Sequence, residues 1–235
     1  MDEEIHKDKE LYYLYGIVNK PIHGELGSFG INNGVVFAYT YKEISVIFQK
    51  DLPMSTGKSI HLERGIEHLY VLQKCMEHFG CVFPFPAEMF IVKETIPSLV
   101  EHKYDDVCAW FQEYDRMQQY NVQIIYDAEN AEKKKRKMGI KSYTFAQKEK
   151  RLEKQEIIEM YQAQIKEELR QITAKIRIMP MEKSLADTQT ILDLSCALNK
   201  DKEDAFKNML QEINKIKYLT VKITGPLPLY GFTGK

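Results

Sequence analysis

Ser55-Thr56-Gly57-Lys58-Ser59 is the stretch of this 235-residue chain that comes nearest to a phosphate-binding loop. The pattern G-x-x-x-x-G-K-[ST] needs a further glycine at position 52, where Leu52 stands. Without it the backbone cannot fold into the nest of N–H groups that holds phosphate oxygens. The stretch therefore reads as a turn before a helix. His61 and His68 are seven residues apart, two helical turns, too far for joint metal ligation of the H-E-x-x-H kind. Both read as solvated surface histidines. Asp105, Asp106, Glu113 and Asp115 offer carboxylates, yet no base or nucleophile stands beside them, and capping and surface charge account for them. No G-x-S-x-G, dinucleotide fingerprint or EF-hand loop is present. Cys75, Cys81, Cys108 and Cys196 show no C-x-x-C spacing and read as reduced, mostly buried thiols. The expectation is a protein without catalytic residues, cofactor or metal.

The composition points the same way. Charged residues make up 29% of the chain and the net charge is −1, which suits neither a nucleic-acid binder nor an acidic tail. A local excess of Lys and Arg runs from Lys133, but "EKKKRKMGIKSYTF" lacks the interleaved aromatics of an RNA-binding sheet. Lys133–Arg151 reads as a solvated helix face or loop. The opening "MDEEIHKDKE" has no apolar segment, and nothing approaches the roughly 18 apolar residues of a membrane helix. A cytoplasmic protein with neither a membrane nor a nucleic-acid partner is expected. Fourteen tyrosines and eleven phenylalanines foretell aromatic packing or contact surfaces.

The elements that would carry these residues can be read from periodicity. "LYYLYGIV" (11–18) is a strand, the glycine-rich 21–34 a loop, and "VVFAYTY" with "ISVIFQK" a hairpin turning at Lys42-Glu43. In 59–79, Leu62, Ile66, Leu69, Leu72, Met76 and Phe79 mark one face of a helix with Ser59 as cap. "CVFPFPAEMFIV" (81–92), with Pro84 and Pro86, suits an edge strand. A second helix follows, with Pro97 in its first turn. The pattern restarts with a strand at 120–129. A long helix is expected over about 145–179, with Ile158, Tyr161, Ile165, Leu169, Ile172, Ile176 and Met179 as its apolar seam, ended by Pro180. A strand (188–199), a helix capped by Asp201 and a last strand complete the chain. The class is α+β with two domains, 1–118 and 119–235, the second ferredoxin-like with an enlarged helical insert.

Several segments together resemble the gas vesicle protein GvpL/GvpF family. "LYYLYGIV" resembles its Tyr-rich first strand, and His68 falls in a helix followed by "VFPFPAEMF" where the family has a helix and a Leu-Pro and Phe-Gly turn. "MGIKSYTFAQKEKR" is similar to its Gly-x-x-Tyr-Leu-x-x-Lys-Arg segment. "TGPLPLYGF" resembles its C-terminal Thr-Gly-Pro-Trp-Pro-Pro-Tyr-Ser-Phe, with Leu227, Leu229 and Gly231 as departures. The "FPAEM" of 85–89 lacks the family's Arg-Phe-Gly, and Thr144-Phe145 stands where leucine is usual. The resemblance implies a two-domain α+β fold and a non-catalytic accessory role in building gas vesicles, the hollow protein-walled flotation compartments of some prokaryotes. It also implies contacts with the small hydrophobic shell protein and other accessory proteins. Two other readings stay open: an interaction or regulatory protein unrelated to vesicles, and an enzyme or sensor with a ligand site in an interdomain cleft.

Two surfaces are the candidate binding elements. Thr224, Gly225, Pro226, Pro228, Tyr230 and Phe232 are expected to form a rigid strap that leaves the last strand. It would pack its aromatics back across the groove between domains, because proline fixes φ and lowers the entropy lost on docking. The helix seam from Ile158 to Ile176 is expected to pack on the second domain's sheet or to receive a partner.

Overall fold

From Tyr12 onward every residue of β1 (Leu11–Val18) is buried, so this strand is covered on both faces. The computed structural model describes residues 10–50, 52, 58–127, 145–173, 175–180, 188–216 and 218–234. The fold divides into two compact units, one within Met1–Met117 with Leu227–Lys235, the other within Gln118–Pro226. The sequence reading placed all of 119–235 in the second domain; the final segment instead groups with the first unit, where Leu229 is buried.

In the first unit β3 (Val36–Tyr41) and β4 (Ile44–Gln49) form the expected hairpin, with Lys42 at φ 52° in the turn. The supposed loop at 21–34 contributes β2 (Gly24–Gly27), which pairs with β3, and a short 3₁₀ turn at Ile31–Asn33. Its strand character comes from backbone pairing with Phe37 and Ala38, which a glycine-rich composition conceals. β5 (Val82–Pro84) pairs with Gly16–Val18 and β6 (Phe90–Val92) with Leu11–Tyr13, both on the same side of β1. That outer position tolerates Pro84. The strand order is β2-β3-β4-β1-β5, with β6 also on β1.

A bulge between Leu14 and Gly16 shifts the β1–β4 register, so Tyr13, Tyr15 and Val18 share one face. On that face lies α1 (Lys58–Phe79), with Val71, Leu72 and Cys75 in the same apolar cluster. Tyr12 points the other way and stacks on Phe48, with ring centroids 4.9 Å apart. On this second side α2 (Ile96–Tyr114) packs against β3 and β4 and buries Ile96, Val100, Val107, Trp110 and Phe111. Leu62 and Ile66, expected on the buried stripe of α1, are exposed; Arg64 and His68 are buried in their place. On the sheet the Tyr13 hydroxyl meets His68, and Glu88 lies 3.9 Å from Arg64, so both polar helix residues have polar neighbours.

Among the described residues the second unit carries β7 (Met117–Asp127), α3 (Phe145–Ile172), β8 (Ile176–Ile178), β9 (Thr188–Asn199), α4 (Glu203–Lys215) and β10 (Leu219–Leu227). Its four strands run in the order β10-β7-β9-β8. The core joins Val122, Ile124, Ile158, Ile165, Leu169, Leu194 and Phe206. The long helix expected to reach 179 stops at Ile172. The Thr173 amide donates to the Leu169 carbonyl, and its hydroxyl donates to the Ala197 carbonyl at 2.6 Å. Ile176–Ile178 then pairs with Leu194–Cys196. Spacings of four and three through Ile172, Ile176 and Met179 fit a helix, but Lys175-Ile176-Arg177-Ile178 alternates equally well as a strand. The available edge of β9 decides between them. Asp201, the expected cap, lies in a 3₁₀ turn before α4, which begins at Glu203 without a side-chain cap bond.

Ile165 is 1% exposed in this core. Ile165→Asp should therefore cost on the order of 3–5 kcal/mol through burial of an unpaired carboxyl group. Urea denaturation reads this directly, and an unchanged midpoint would contradict the packing.

Candidate functional site

β1 presents two tyrosines under α1, and a buried phenol needs a partner for its hydroxyl. Tyr13 finds one in His68: its oxygen lies 2.8 Å from His68 Nδ1. The other ring nitrogen, Nε2, is 3.2 Å from the Phe85 carbonyl. A carbonyl only accepts, so Nε2 carries the proton, Nδ1 accepts from Tyr13, and the ring is neutral. Tyr13 in turn accepts from the Glu88 amide at 3.1 Å. Burial holds His68 down at about 4, with the Phe85 carbonyl opposing the shift, and pushes Tyr13 up to about 12.

Tyr15 repeats the arrangement one step along the strand. It donates to Gln49 Oε1 at 2.6 Å and accepts from the Ile31 amide at 3.1 Å, while Gln49 Nε2 donates to the Ile31 carbonyl at 3.0 Å. The Gln49 carboxamide lies so close to Gly34 that a Cβ there would overlap it. At the rim, Glu88 takes up φ 66°, with Arg64 Nη1 at 3.9 Å and His61 Nδ1 at 3.4 Å from its carboxylate.

The final segment lies beside this network. Thr224, Gly225 and Pro226 belong to β10 and are exposed. Gly225 has φ 152°, and a Cβ on it would come within 2.6 Å of the Tyr120 ring, so glycine is required. Pro228 and Leu229 are buried. Tyr230–Phe232 forms a 3₁₀ turn that sets the Tyr230 ring 6.5 Å from His68 and the Phe232 ring 5.7 Å from Tyr114. The indole N–H of Trp110 donates to the Phe232 carbonyl at 2.8 Å. Trp110 also meets Phe83 edge-on at 5.1 Å and stacks on Tyr114 at 5.2 Å.

Thr224, Gly225 and Pro226 thus group with the second unit, which also holds the helix seam, and Pro228, Tyr230 and Phe232 with the first. Of the seam, Ile158, Ile165 and Leu169 are buried in the second core, Tyr161 and Ile172 are half-buried against it, and Ile176 sits on β8. Asp105, Asp106 and Glu113 are exposed on α2, and Asp115 lies 3.6 Å from Arg116. Burial pushes the thiols of Cys75, Cys81 and Cys196 up to about 12, which keeps them protonated. Among the described residues no group of three or more His, Cys, Asp or Glu is placed to hold a metal, and no helix is long and apolar enough to cross a membrane. The 55–57 part of the phosphate-loop-like stretch, the Ser59 side chain and the basic side chains of 133–151 lie outside the described residues.

His68 is the clearest departure from the sequence reading, which left it in solvent; it is fully buried. Tyr13 and Tyr15 at alternate positions of a strand with no polar face were the available signal. Such hydroxyls require buried partners, and Arg64 and His68, four apart on one helix, supply polar groups on a single side.

These features define a mixed α and β protein with a hydrogen-bonded Tyr13–His68 and Tyr15–Gln49 network under its first helix. A family model described as gas vesicle synthesis protein GvpL/GvpF matches residues 11–234, and the chain belongs to that family. It is similar in fold to the crystal structure of the gas vesicle protein GvpF from Anabaena sp. PCC7120. The TM-score is 0.74 at 16% identity, over 97% of this chain and 99% of that one. The corresponding structure from Microcystis aeruginosa gives 0.73 at 16% identity, over 97% and 100%. No curated protein matches by sequence.

Two expectations follow from the site. His68 has its ordinary value near 6.5 in the unfolded chain and about 4 in the fold. Only the unfolded state takes up the proton between those values, so this contribution to stability is complete above pH 6.5 and disappears on acidification towards pH 4. It amounts to about 3 kcal/mol. His68→Gln should flatten that part of the stability-versus-pH curve; an unaltered slope would rule the assignment out. Truncation after Leu227 removes Leu229 from its buried position and the Trp110 bond, costing at least about 2 kcal/mol. Because Trp110 is the chain's single tryptophan, its emission should shift to the red. Unchanged emission and melting would show that the segment does not dock.

Proposed function

We propose that this chain is a non-catalytic accessory protein of gas vesicle assembly. In this reading it binds the small hydrophobic shell protein and other accessory proteins, and works in the cytoplasm in association with gas vesicles. The observation that carries the proposal is the family match over residues 11–234. The non-catalytic part is supported by the site. Both nitrogens of His68 and the hydroxyls of Tyr13 and Tyr15 are committed to internal hydrogen bonds, which leaves them no capacity to move protons for a substrate.

We further propose that the two units are two domains and that the second is ferredoxin-like with an enlarged helical insert. Its β-α-β-β-α-β succession and its strand order β10-β7-β9-β8 support that reading. The segment from Pro228 to Phe232 is a strap on the first domain whose Tyr230 also meets the partner; the 36% exposure of that residue supports a contact role. The Ile158–Ile172 seam serves the second domain's core.

The deciding experiment is co-purification of the intact chain with each gas vesicle protein of the same organism. A stable complex with the shell protein or an accessory protein is expected, with Tyr230→Ala weakening it several-fold at unchanged melting temperature. A folded chain that captures none of them would sink the proposal.

A further inference from the structure

The inner side of α1 mixes polar and apolar residues, and its outer side carries large apolar ones. Arg64, His68, Val71, Leu72 and Cys75 face inward. At about 100° per residue, Leu62, Ile66 and Tyr70 fall on the opposite side. They are 70%, 62% and 50% exposed, on the face where a surface helix ordinarily carries charge.

A second observation lies at the edge of that strip. Gly65 sits in the interior of this 22-residue helix, at a cost of about 1 kcal/mol relative to alanine. A Cβ placed there would meet nothing within 4 Å, so the packing of this chain does not ask for glycine. A missing side chain flanked by Leu62, Ile66 and Leu69 lets another helix axis approach closely. The positions Leu62, Gly65, Ile66 and Leu69 also have the i, i+3, i+4, i+7 spacing of a helix-on-helix contact.

Charge indicates what kind of helix it is. Glu63, Glu67 and Glu77 border the strip, against Lys74, whose Nζ is already 2.8 Å from Glu77 Oε2. Glu63 is exposed and has no ion-pair partner among the described residues. Among the described side chains the border is therefore net negative.

We propose that the side of α1 carrying Leu62, Gly65, Ile66 and Leu69 docks an amphipathic helix of another vesicle protein, one with Lys or Arg beside its apolar stripe. The identity of the partner rests on the family reading above; the surface rests on α1 alone. The test uses the full chain, co-expressed with each gas vesicle protein of the same organism in turn, with affinity and salt dependence measured for the complex. Leu62→Ser combined with Ile66→Ser should weaken binding by about tenfold or more. Gly65→Gln, which favours the helix but blocks close approach, should weaken binding without lowering the melting temperature. Glu63→Lys should lower affinity several-fold and flatten its dependence on salt. A vesicle protein that binds all these variants as it binds wild type would overturn the α1 surface and leave the assembly role standing. Wild type that binds no vesicle protein would overturn both. Self-association of the chain, abolished by the same substitutions, would assign the face to a second copy and overturn the partner helix.

Discussion

The hydrogen bond from Tyr13 to His68 is the constraint around which the first unit is arranged. β1 carries tyrosines at 12, 13 and 15 with helices over both faces, so two phenols enter the interior beneath α1. A buried hydroxyl left without a partner costs about 1–3 kcal/mol, and a charged imidazole in the same place would cost more. Both are avoided when a neutral His68 accepts from Tyr13 and donates to the Phe85 carbonyl. The same requirement draws the turn at Glu88 onto Tyr13 and the turn at Ile31 onto Tyr15. Chain segments without helix or strand character are thereby fixed to the sheet by side chains.

α1 shows how such a constraint reverses an ordinary pattern. A helix on a purely aliphatic sheet would bury Leu62 and Ile66 and leave Arg64 and His68 in water. Here Tyr13 on the sheet and Glu88 beside it meet His68 and Arg64, while Val71, Leu72 and Cys75 complete an apolar contact at the far end. The helix is therefore weakly amphipathic in composition although it is firmly oriented in space.

This is also why the sequence was readable in some places and opaque in others. β1, the β3–β4 hairpin, α2 and α4 follow periodicity closely, because each has an aliphatic or aromatic face and a distinct end. The strand at Gly24–Gly27 owes its existence to a neighbour's backbone, and the strand at Ile176–Ile178 to an open edge of β9. Neither cause is local. His68 escaped notice for a related reason: an isolated histidine reads as solvated unless the tyrosines opposite it are recognised as needing it. The closing Pro-Leu-Pro-Leu-Tyr-Gly-Phe segment was legible only as a run of prolines and aromatics. That it belongs with the first unit was not, since nothing in its composition names Trp110 as its partner.

The return of Leu227–Lys235 to the first unit has a temporal side. Residues 118–226 are interposed between Trp110 and the Phe232 carbonyl that it binds. Synthesis proceeds at roughly 5–20 residues per second. The first sheet and its two helices can thus emerge and collapse several seconds before the residues that cover His68 and Trp110 exist. During that interval Trp110 and Tyr114 lack their contacts with Phe232. The first unit reaches its finished form only after the second has been made, so the two units are completed in the reverse of the order in which they begin.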